Sequence, residues 1–253
     1  MAETFEHRDM SGSVFRDVSL RGALFDDVNL AEATIHGAYL AGLSIDQADI
    51  TGMTVSGIRI DLLVEAELDR RDPERVRLRM SDPYDPQRLR AVVERLGVVR
   101  EEFAALLRSL PLDSLTAQPA PGSWSALENL RHMIFVEELY TNRWLLRSDA
   151  PWCKSGLVAD FLTGDPEYAD VGSEPTDDLE SLLAAWDAVH ARTTDFVARA
   201  TEDDLRRETR SAGSRQSTAG RDLQVLVGHT LAHVRQAEAA IGERRRAAQV
   251  PNR

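Results

Sequence analysis

The chain has 253 residues, which exceeds one small domain and suits two, because domains usually contain about 100–200 residues. Hydrophobic residues make up 43% of the chain and charged residues 28%, so it is not a wholly disordered protein. The formal net charge of −12 argues against general binding to nucleic acid or to anionic lipid, since both need basic patches.

Membrane insertion and disulfide chemistry are not expected from this sequence. No apolar run approaches the roughly 18 residues of a membrane span, and the opening Met1-Ala2-Glu3-Thr4 lacks the basic and apolar segments of a signal peptide. We therefore expect a cytoplasmic protein without a membrane partner. The lone cysteine, Cys153, cannot form an internal disulfide, and we expect an incidental loop thiol there. Any metal site must use histidine or carboxylate ligands.

The first sixty residues repeat with a period of five. Each repeat has one apolar position, and these positions together form the main column. The residue two places before each main-column residue is mostly small or β-branched, as at Val18, Ala23 and Val28. A fixed period that matches neither a helix nor a strand is typical of a solenoid. The main column is apolar throughout: Phe5, Met10, Phe15, Leu20, Phe25, Leu30, Ile35, Leu40, Ile45, Ile50, Val55 and Ile60.

These columns resemble the pentapeptide-repeat family, whose members wind into a right-handed quadrilateral β-helix with the apolar columns inside. The resemblance implies a short β-solenoid over residues 1–60. About three coils at a spacing of roughly 4.8 Å make a stack only about 10–15 Å tall, too short to imitate duplex DNA. We therefore expect a cap or an interaction platform with no nucleic-acid partner. Its open β-edge needs a cover, either the following helix or a second copy of the chain in a homodimer.

Residues 61–85 lose the period of five and contain charged residues and prolines, which indicates a linker with a short helix over 62–68. Beyond it, apolar residues recur at steps of three and four. This spacing predicts four helices, over 87–110, 125–147, 177–200 and 222–241, the last ending at Gly242. The sequence thus predicts a multidomain β + α protein, with a four-helix bundle over 86–245 behind the solenoid.

Three histidines fall on the apolar faces of two predicted helices. His229 and His233 are four residues apart, which places them one turn apart on one face. His132 shares a mostly apolar face with Phe135 on the second helix and can reach the same interior point. Each ring alone could be a hydrogen-bonded core residue. Together, three neutral imidazoles can hold a divalent ion and leave coordination positions open for water or substrate.

Two sequence runs resemble the DinB/YfiT-like superfamily of four-helix proteins. They are Gly-Ser-Trp-Ser-Ala-Leu-Glu-Asn-Leu-Arg-His at 122–132 and His-Thr-Leu-Ala-His-Val-Arg-Gln at 229–236, the latter with its arginine displaced by one place. The resemblance implies that His132, His229 and His233 bind zinc or nickel. It also implies a thiol S-transferase that joins a low-molecular-weight thiol to a small electrophile. Lys154 is the one lysine among the 30 lysine and arginine residues, which is typical of a high-GC coding sequence and suggests an actinobacterium. For such a protein the resemblance implies mycothiol as the thiol.

Two further residues are candidate catalytic groups. Glu128 precedes His132 by one turn and could be a general base, a hydrogen-bond partner of the site, or the cap of its helix. Arg235, with Gln236, could orient a substrate or pack against a neighbouring helix. Two other functions remain open: a non-enzymatic interaction protein stabilised by its metal, and a metal-assisted hydrolase or isomerase that activates water.

Overall fold

The computed structural model describes residues 3–25, 28–45, 48–119, 123–159, 162–210 and 216–249, and of residues 210, 216 and 243–249 the backbone alone. Met1, Ala2 and Gly122, which entered the sequence argument, lie outside these ranges. The chain divides into two compact units, Met1–Ser44 and Ile45–Arg253, and each is described by itself.

The backbone of the repeat segment follows a regular series of turns. One turn closes every ten residues through a backbone hydrogen bond, such as the bond of 3.0 Å from the N–H of Ala23 to the carbonyl of Leu20. Gly22 has a φ of 76° in this turn, a conformation that favours glycine. A side-chain bond recurs at twice that interval, where Asp9 and Asn29 each accept the N–H two residues later. The local geometry therefore recurs every four pentapeptides.

The quadrilateral β-helix predicted for residues 1–60 is not seen. In the described part of the first unit no strand is assigned, and the column side chains from Phe5 to Ile45 are 40–64% exposed. Burial of such a column requires each coil to stack on a neighbour, which is a long-range contact that the turns alone do not provide. The β-helix and its inward column stay a prediction.

The second unit opens with a short hairpin, formed by β1 (Thr54–Val55) and β2 (Ile58–Arg59). Helix α1 (Ile60–Arg71) follows at once and includes the short helix predicted over 62–68. Helix α2 (Pro73–Leu78) begins at Asp72, whose carboxylate accepts the N–H of Glu74 at 3.1 Å. Both helices therefore lie within the segment that the sequence treated as a linker.

Four long helices form the body of this unit: α3 (Pro86–Arg108), α5 (Ala126–Glu138), α6 (Leu179–Arg199) and α8 (Ala219–Gln249). Shorter elements connect them: α4 (Leu112–Thr116), a 3-10 turn (Pro166–Tyr168), α7 (Glu202–Arg206) and the hairpin of β3 (Glu208–Arg210) and β4 (Gln216–Thr218). Helix α5 packs against α6 and α8, and α3 packs against the same two helices, which closes a ring of four. Their apolar faces form one core that includes Leu89, Leu130, Trp186 and Val234. The helical bundle is thus present as predicted.

Helix α5 does not run as a regular helix to residue 147. It continues from Leu139 to Leu145 as a π-helix, and Arg147 then takes a positive φ of 54°. The wider turn buries two polar residues that have partners elsewhere. Thr141 bonds Thr193 of α6 at 2.7 Å, and Asn142 donates to the carbonyl of Pro151 at 2.8 Å. Apolar periodicity does not report such polar contacts, so the sequence missed this change.

The predicted end of the last helix at Gly242 is wrong. Helix α8 passes through Gly242 to Gln249, and this glycine does not adopt the left-handed backbone that ends a helix. A glycine inside a helix costs only about 1 kcal/mol relative to alanine, and the Glu, Arg and Ala residues that follow in the sequence favour a helix. Among the described helices, none is long and apolar enough to span a membrane.

Candidate metal centre

Helix α5 begins at a capping box that fixes where its side chains point. The Ser125 hydroxyl accepts the N–H of Glu128 at 3.2 Å, and the Glu128 carboxylate accepts the N–H of Ser125 at 2.7 Å. These two bonds satisfy N–H groups that have no partner within the helix. His132 lies about two turns further on and is buried on the side of α5 that packs against α8.

The three predicted histidines meet in the interior. His229 and His233 of α8 have ring centroids 4.3 Å apart, and the ring of His132 lies 5.2 Å from the first and 4.8 Å from the second. One nitrogen from each ring can be chosen so that all three lie within 4.8 Å of one another. This arrangement joins a local pair on one helix to a residue about 100 positions away in the sequence.

All three imidazoles are neutral at neutral pH. Burial lowers the pKa of His132 to about 4, and the second cause is repulsion from His233 when that ring is protonated. Burial likewise lowers the pKa of His229 to about 2, with smaller effects of the other two rings. Burial lowers the pKa of His233 to about 4, although a hydrogen bond with Gln236 opposes it. A neutral imidazole keeps one nitrogen lone pair, which is what a metal ion requires.

The outer nitrogens of the three rings have unequal surroundings. His132 Nδ1 lies 3.0 Å from the carbonyl oxygen of Leu157, and His233 Nδ1 lies 2.9 Å from Oδ1 of Asn129. Both oxygens can only accept, so a hydrogen bond in either pair requires the proton on Nδ1. His229 Nδ1 is buried and, among the described residues, has no hydrogen-bond partner.

This donor set fits a divalent ion. Buried polar nitrogens are costly unless they are paired, and a shared ion would pair all three rings at once. Imidazole nitrogen is a ligand that zinc and nickel both accept, and metal-bound histidines usually donate their second N–H to a carbonyl or a carboxylate. His132 and His233 already have partners of that kind.

Aromatic rings cover the histidines. The ring centroid of Trp124, just before the capping box, lies 4.5 Å from that of His132 and 5.7 Å from that of His233. Phe135 is also near, with its ring centroid 6.1 Å from that of His132. Phe135 in turn contacts Trp152 and Tyr168, both at 5.6 Å. The three histidines therefore have aromatic, largely apolar side chains around them.

Glu128 and Arg235, the two predicted catalytic groups, make contacts that stabilise the fold. Glu128 is occupied in the capping box described above. Arg235 forms ion pairs with Asp72 at 2.7 Å and with Glu238 at 2.8 Å, so it connects α8 to the residue that caps α2. These contacts match the structural alternatives that the sequence left open, and the catalytic roles of both residues stay predictions. Gln236, the residue after Arg235, acts on the cluster by raising the pKa of His233.

Sequence reasoning missed Asn129 and the carbonyl of Leu157. Asn129 is fully buried on the predicted apolar face of α5, and a buried amide next to a histidine-bearing face was the available signal. The Leu157 carbonyl left no signal, because a backbone group can be placed only when the path of its loop is known. Arg131 helps to hold this loop, since its guanidinium donates to the carbonyl of Ser155 at 2.8 Å.

Cys153 lies in the same loop and is partly buried. Its backbone N–H donates to the Glu138 carboxylate at 2.8 Å. This bond involves the backbone and not the thiol, so it gives Cys153 no role as a nucleophile.

Comparison with protein families finds two matches. A model described as the DinB superfamily matches residues 95–237, which is more than half of the chain. A model of pentapeptide repeats matches eight copies over residues 9–52. No curated protein and no solved structure matches the chain. Both resemblances stated from the sequence are thus confirmed.

Proposed function

The chain belongs to the DinB superfamily, and we propose that it is a metal-dependent thiol S-transferase acting on a small electrophile, with mycothiol as the thiol. The superfamily includes metal-dependent enzymes. The observation that carries the proposal is the set of three neutral imidazoles whose candidate ligand atoms lie within 4.8 Å of one another. A fully structural zinc site closes the coordination sphere with four protein ligands, whereas three ligands are typical of catalytic sites.

His132, His229 and His233 would hold the ion, zinc or nickel being the expected metals. When bound, a divalent ion supplies Lewis acidity that lowers the pKa of a thiol, and the thiolate is the reactive nucleophile. In the overall reaction a carbon–sulfur bond forms, the thiol proton is released, and the electrophile loses its leaving group or takes up the proton.

The side chains around the histidines suit such a reaction. Trp124 and Phe135 present apolar rings beside His132, which limits access of water and strengthens electrostatic interactions in the site. The same rings would accept an electrophile with an apolar body. The low pKa values of the three imidazoles keep them unprotonated, so no proton has to be displaced before the ion is bound.

The test is thioether formation by the purified full-length protein. The metal-loaded protein is incubated with mycothiol and a set of alkyl halides and epoxides, and products are followed by mass spectrometry. We expect turnover that falls at least about 100-fold in His233→Ala. His36→Ala, which removes an exposed histidine of the repeat segment, serves as the matched control and should retain full activity. A rate equal to that of His233→Ala would overturn the transferase proposal. Hydrolysis of a substrate without thiol would favour the metal-assisted hydrolase.

A second candidate function is an interaction protein in which the repeat segment docks a partner, and the match to eight pentapeptide repeats over residues 9–52 favours it. We propose that these repeats form the quadrilateral β-helix, in which stacked coils bury the apolar columns, and that a second copy of the chain covers the unpaired β-edge. Light scattering of the full chain tests this. A dimer is the expected result, and a monomeric chain would contradict it.

A further inference from the structure

We propose that Asn129 is a positioning residue: it fixes the proton of His233 on Nδ1 and so leaves the Nε2 lone pair for the ion. The inference rests on the proposed metal site. Asn129 is not one of the three candidate ligands, and its side-chain polar contacts are with His233 and the backbone carbonyls of Trp124 and Ser125. It acts through His233 alone.

The orientation of the Asn129 amide is fixed by a second bond. Its Nδ2 donates to the backbone carbonyl of Ser125 at 2.9 Å, and its Oδ1 lies 2.9 Å from His233 Nδ1. Reversing the amide would place its oxygen against the Ser125 carbonyl, so that two acceptors would face each other. Because Asn129 is fully buried, water cannot relieve that contact. The oxygen therefore faces His233.

An amide oxygen accepts and cannot donate, so His233 must carry a proton on Nδ1. In the neutral ring the other nitrogen, Nε2, is then bare. The Gln236 side chain also raises the pKa of His233, whereas the 2.9 Å contact at Nδ1 is made by Asn129. The Leu157 carbonyl selects the same Nδ1–H tautomer in His132, but it is a backbone group that a substitution cannot remove. Substitution of Asn129 therefore tests whether this hydrogen bond selects the tautomer of His233.

The first measurement needs no metal. Two-bond proton–nitrogen correlation spectra of the metal-free, nitrogen-15-labelled full chain report which ring nitrogen of each histidine carries the proton, and His233→Ala assigns the signal. We expect the Nδ1–H form of His233 in the unsubstituted chain. Asn129→Leu should shift His233 to the Nε2–H form or to a mixture. Asn129→Asp, whose buried acid can be protonated on the oxygen that faces the Ser125 carbonyl, keeps an acceptor toward His233 and should retain Nδ1–H.

The second measurement is zinc affinity by competition with a chromophoric chelator. Loss of an outer hydrogen-bond partner usually weakens metal binding about 10–100-fold, and we expect that loss in Asn129→Leu but not in Asn129→Asp. Asn142→Leu is the matched control, because Asn142 is also buried and doubly hydrogen-bonded but touches none of the three histidines. It should change zinc affinity by less than about twofold, against the 10–100-fold expected at Asn129.

An Nε2–H proton on His233 in the unsubstituted chain would overturn the inference, as would an Asn129→Leu variant with unchanged tautomer and affinity. If Asn129→Leu fails to fold, the spectra of the unsubstituted chain and of Asn129→Asp still decide. Failure of the unsubstituted chain to transfer thiols would remove the proposed function and leave the tautomer result standing, so the two failures can be told apart.

Discussion

Arg100 of α3 and Glu137 of α5 form a buried ion pair, with Nη1 of the arginine 2.6 Å from Oε2 of the glutamate and side-chain exposures of 3% and 1%. Glu137 also accepts hydrogen bonds from His190 Nδ1 at 2.8 Å and from the Thr193 hydroxyl at 3.0 Å, both on α6. The Arg100 guanidinium lies 3.7 Å above the ring of Trp186. Three helices of the bundle are therefore joined through one carboxylate.

Removal of one partner of this pair should be strongly destabilising. Arg100→Ala leaves the buried Glu137 without its cation, and breaking a buried pair in this way typically costs about 3–5 kcal/mol. Urea denaturation measures the loss. Arg108→Ala is the control, because Arg108 pairs with Glu180 at 2.8 Å where both side chains are about half exposed or more. That loss should be small beside the loss in Arg100→Ala, and equal losses would contradict the buried role.

Glu138 should make the stability of the fold depend on pH near neutrality. Burial raises the pKa of Glu138 to about 7, although its bond from the Cys153 N–H and the charge of Arg192 lower it. The ordinary value is 4.5. The folded state thus favours the protonated acid, so this stabilisation is complete below pH about 4.5 and is lost as the pH rises through about 7. At pH 8 the charged form costs at most about 3 kcal/mol.

Glu138→Gln removes that titration and can still accept the Cys153 N–H. We expect the variant to be more stable than the unsubstituted chain at pH 8, by about 1–3 kcal/mol, and the difference to disappear only below pH about 4.5. Urea denaturation at four pH values gives the difference curve. A flat curve for Glu138→Gln would show that the carboxyl is not desolvated.

His229→Leu should stabilise the metal-free protein while abolishing the metal site. His229 Nδ1 is buried without a partner among the described residues, and replacing an unsatisfied polar group by an apolar one of similar size removes its desolvation cost, about 1 kcal/mol or more. His233→Leu is the contrasting variant. It leaves Oδ1 of Asn129 unpaired and should destabilise the metal-free protein by about 1–3 kcal/mol.

Thermal melts with and without zinc complete this comparison. Zinc at about 100 times its dissociation constant should stabilise the unsubstituted chain by about 2.7 kcal/mol, because only the folded state brings the three rings together. Neither leucine variant should respond to zinc. If His229→Leu melts below the unsubstituted chain without metal, the unpaired nitrogen has a partner that the contacts do not reveal.

Two substitutions distinguish a capping role of Glu128 from a catalytic role. Glutamine also serves in a capping box, so Glu128→Gln should keep the stability of α5, whereas Glu128→Ala should lose about 1 kcal/mol. A cap alone predicts full transferase activity for Glu128→Gln. A large loss of activity at unchanged stability would instead show that the carboxylate acts as a base, since an amide cannot accept the proton.

Much of the helical unit follows from local sequence. The apolar residues of α3 and α6 recur at helical spacing, so the buried faces of both helices were predicted correctly. Ser125 and Glu128 stand three residues apart, which was enough to place the start of α5. Capping and periodicity are interactions between near neighbours in the chain, and for that reason a sequence displays them directly.

The ends of α5 and α8 were harder, since each depends on what surrounds the helix. The π-helix after Glu138 allows Thr141 and Asn142 to reach buried hydrogen-bond partners. These partners lie on another helix and in a loop. Gly242 could have ended α8 by adopting a left-handed backbone, but it remained helical. A glycine permits an ending without requiring one.

The sequence by itself determined the repeat of five, the bundle helices and the pairing of His229 with His233 on one face, because all of these are set by spacing along a single element. Only the tertiary structure decided that His132 meets that pair, that Asn129 and the Leu157 carbonyl orient two of the rings, and that the third ring has no such partner in the part of the chain that the structure describes. These contacts depend on how α5 and α8 are aligned along each other and on where a loop crosses them. That alignment is set by the packing of the whole core, which no single segment encodes.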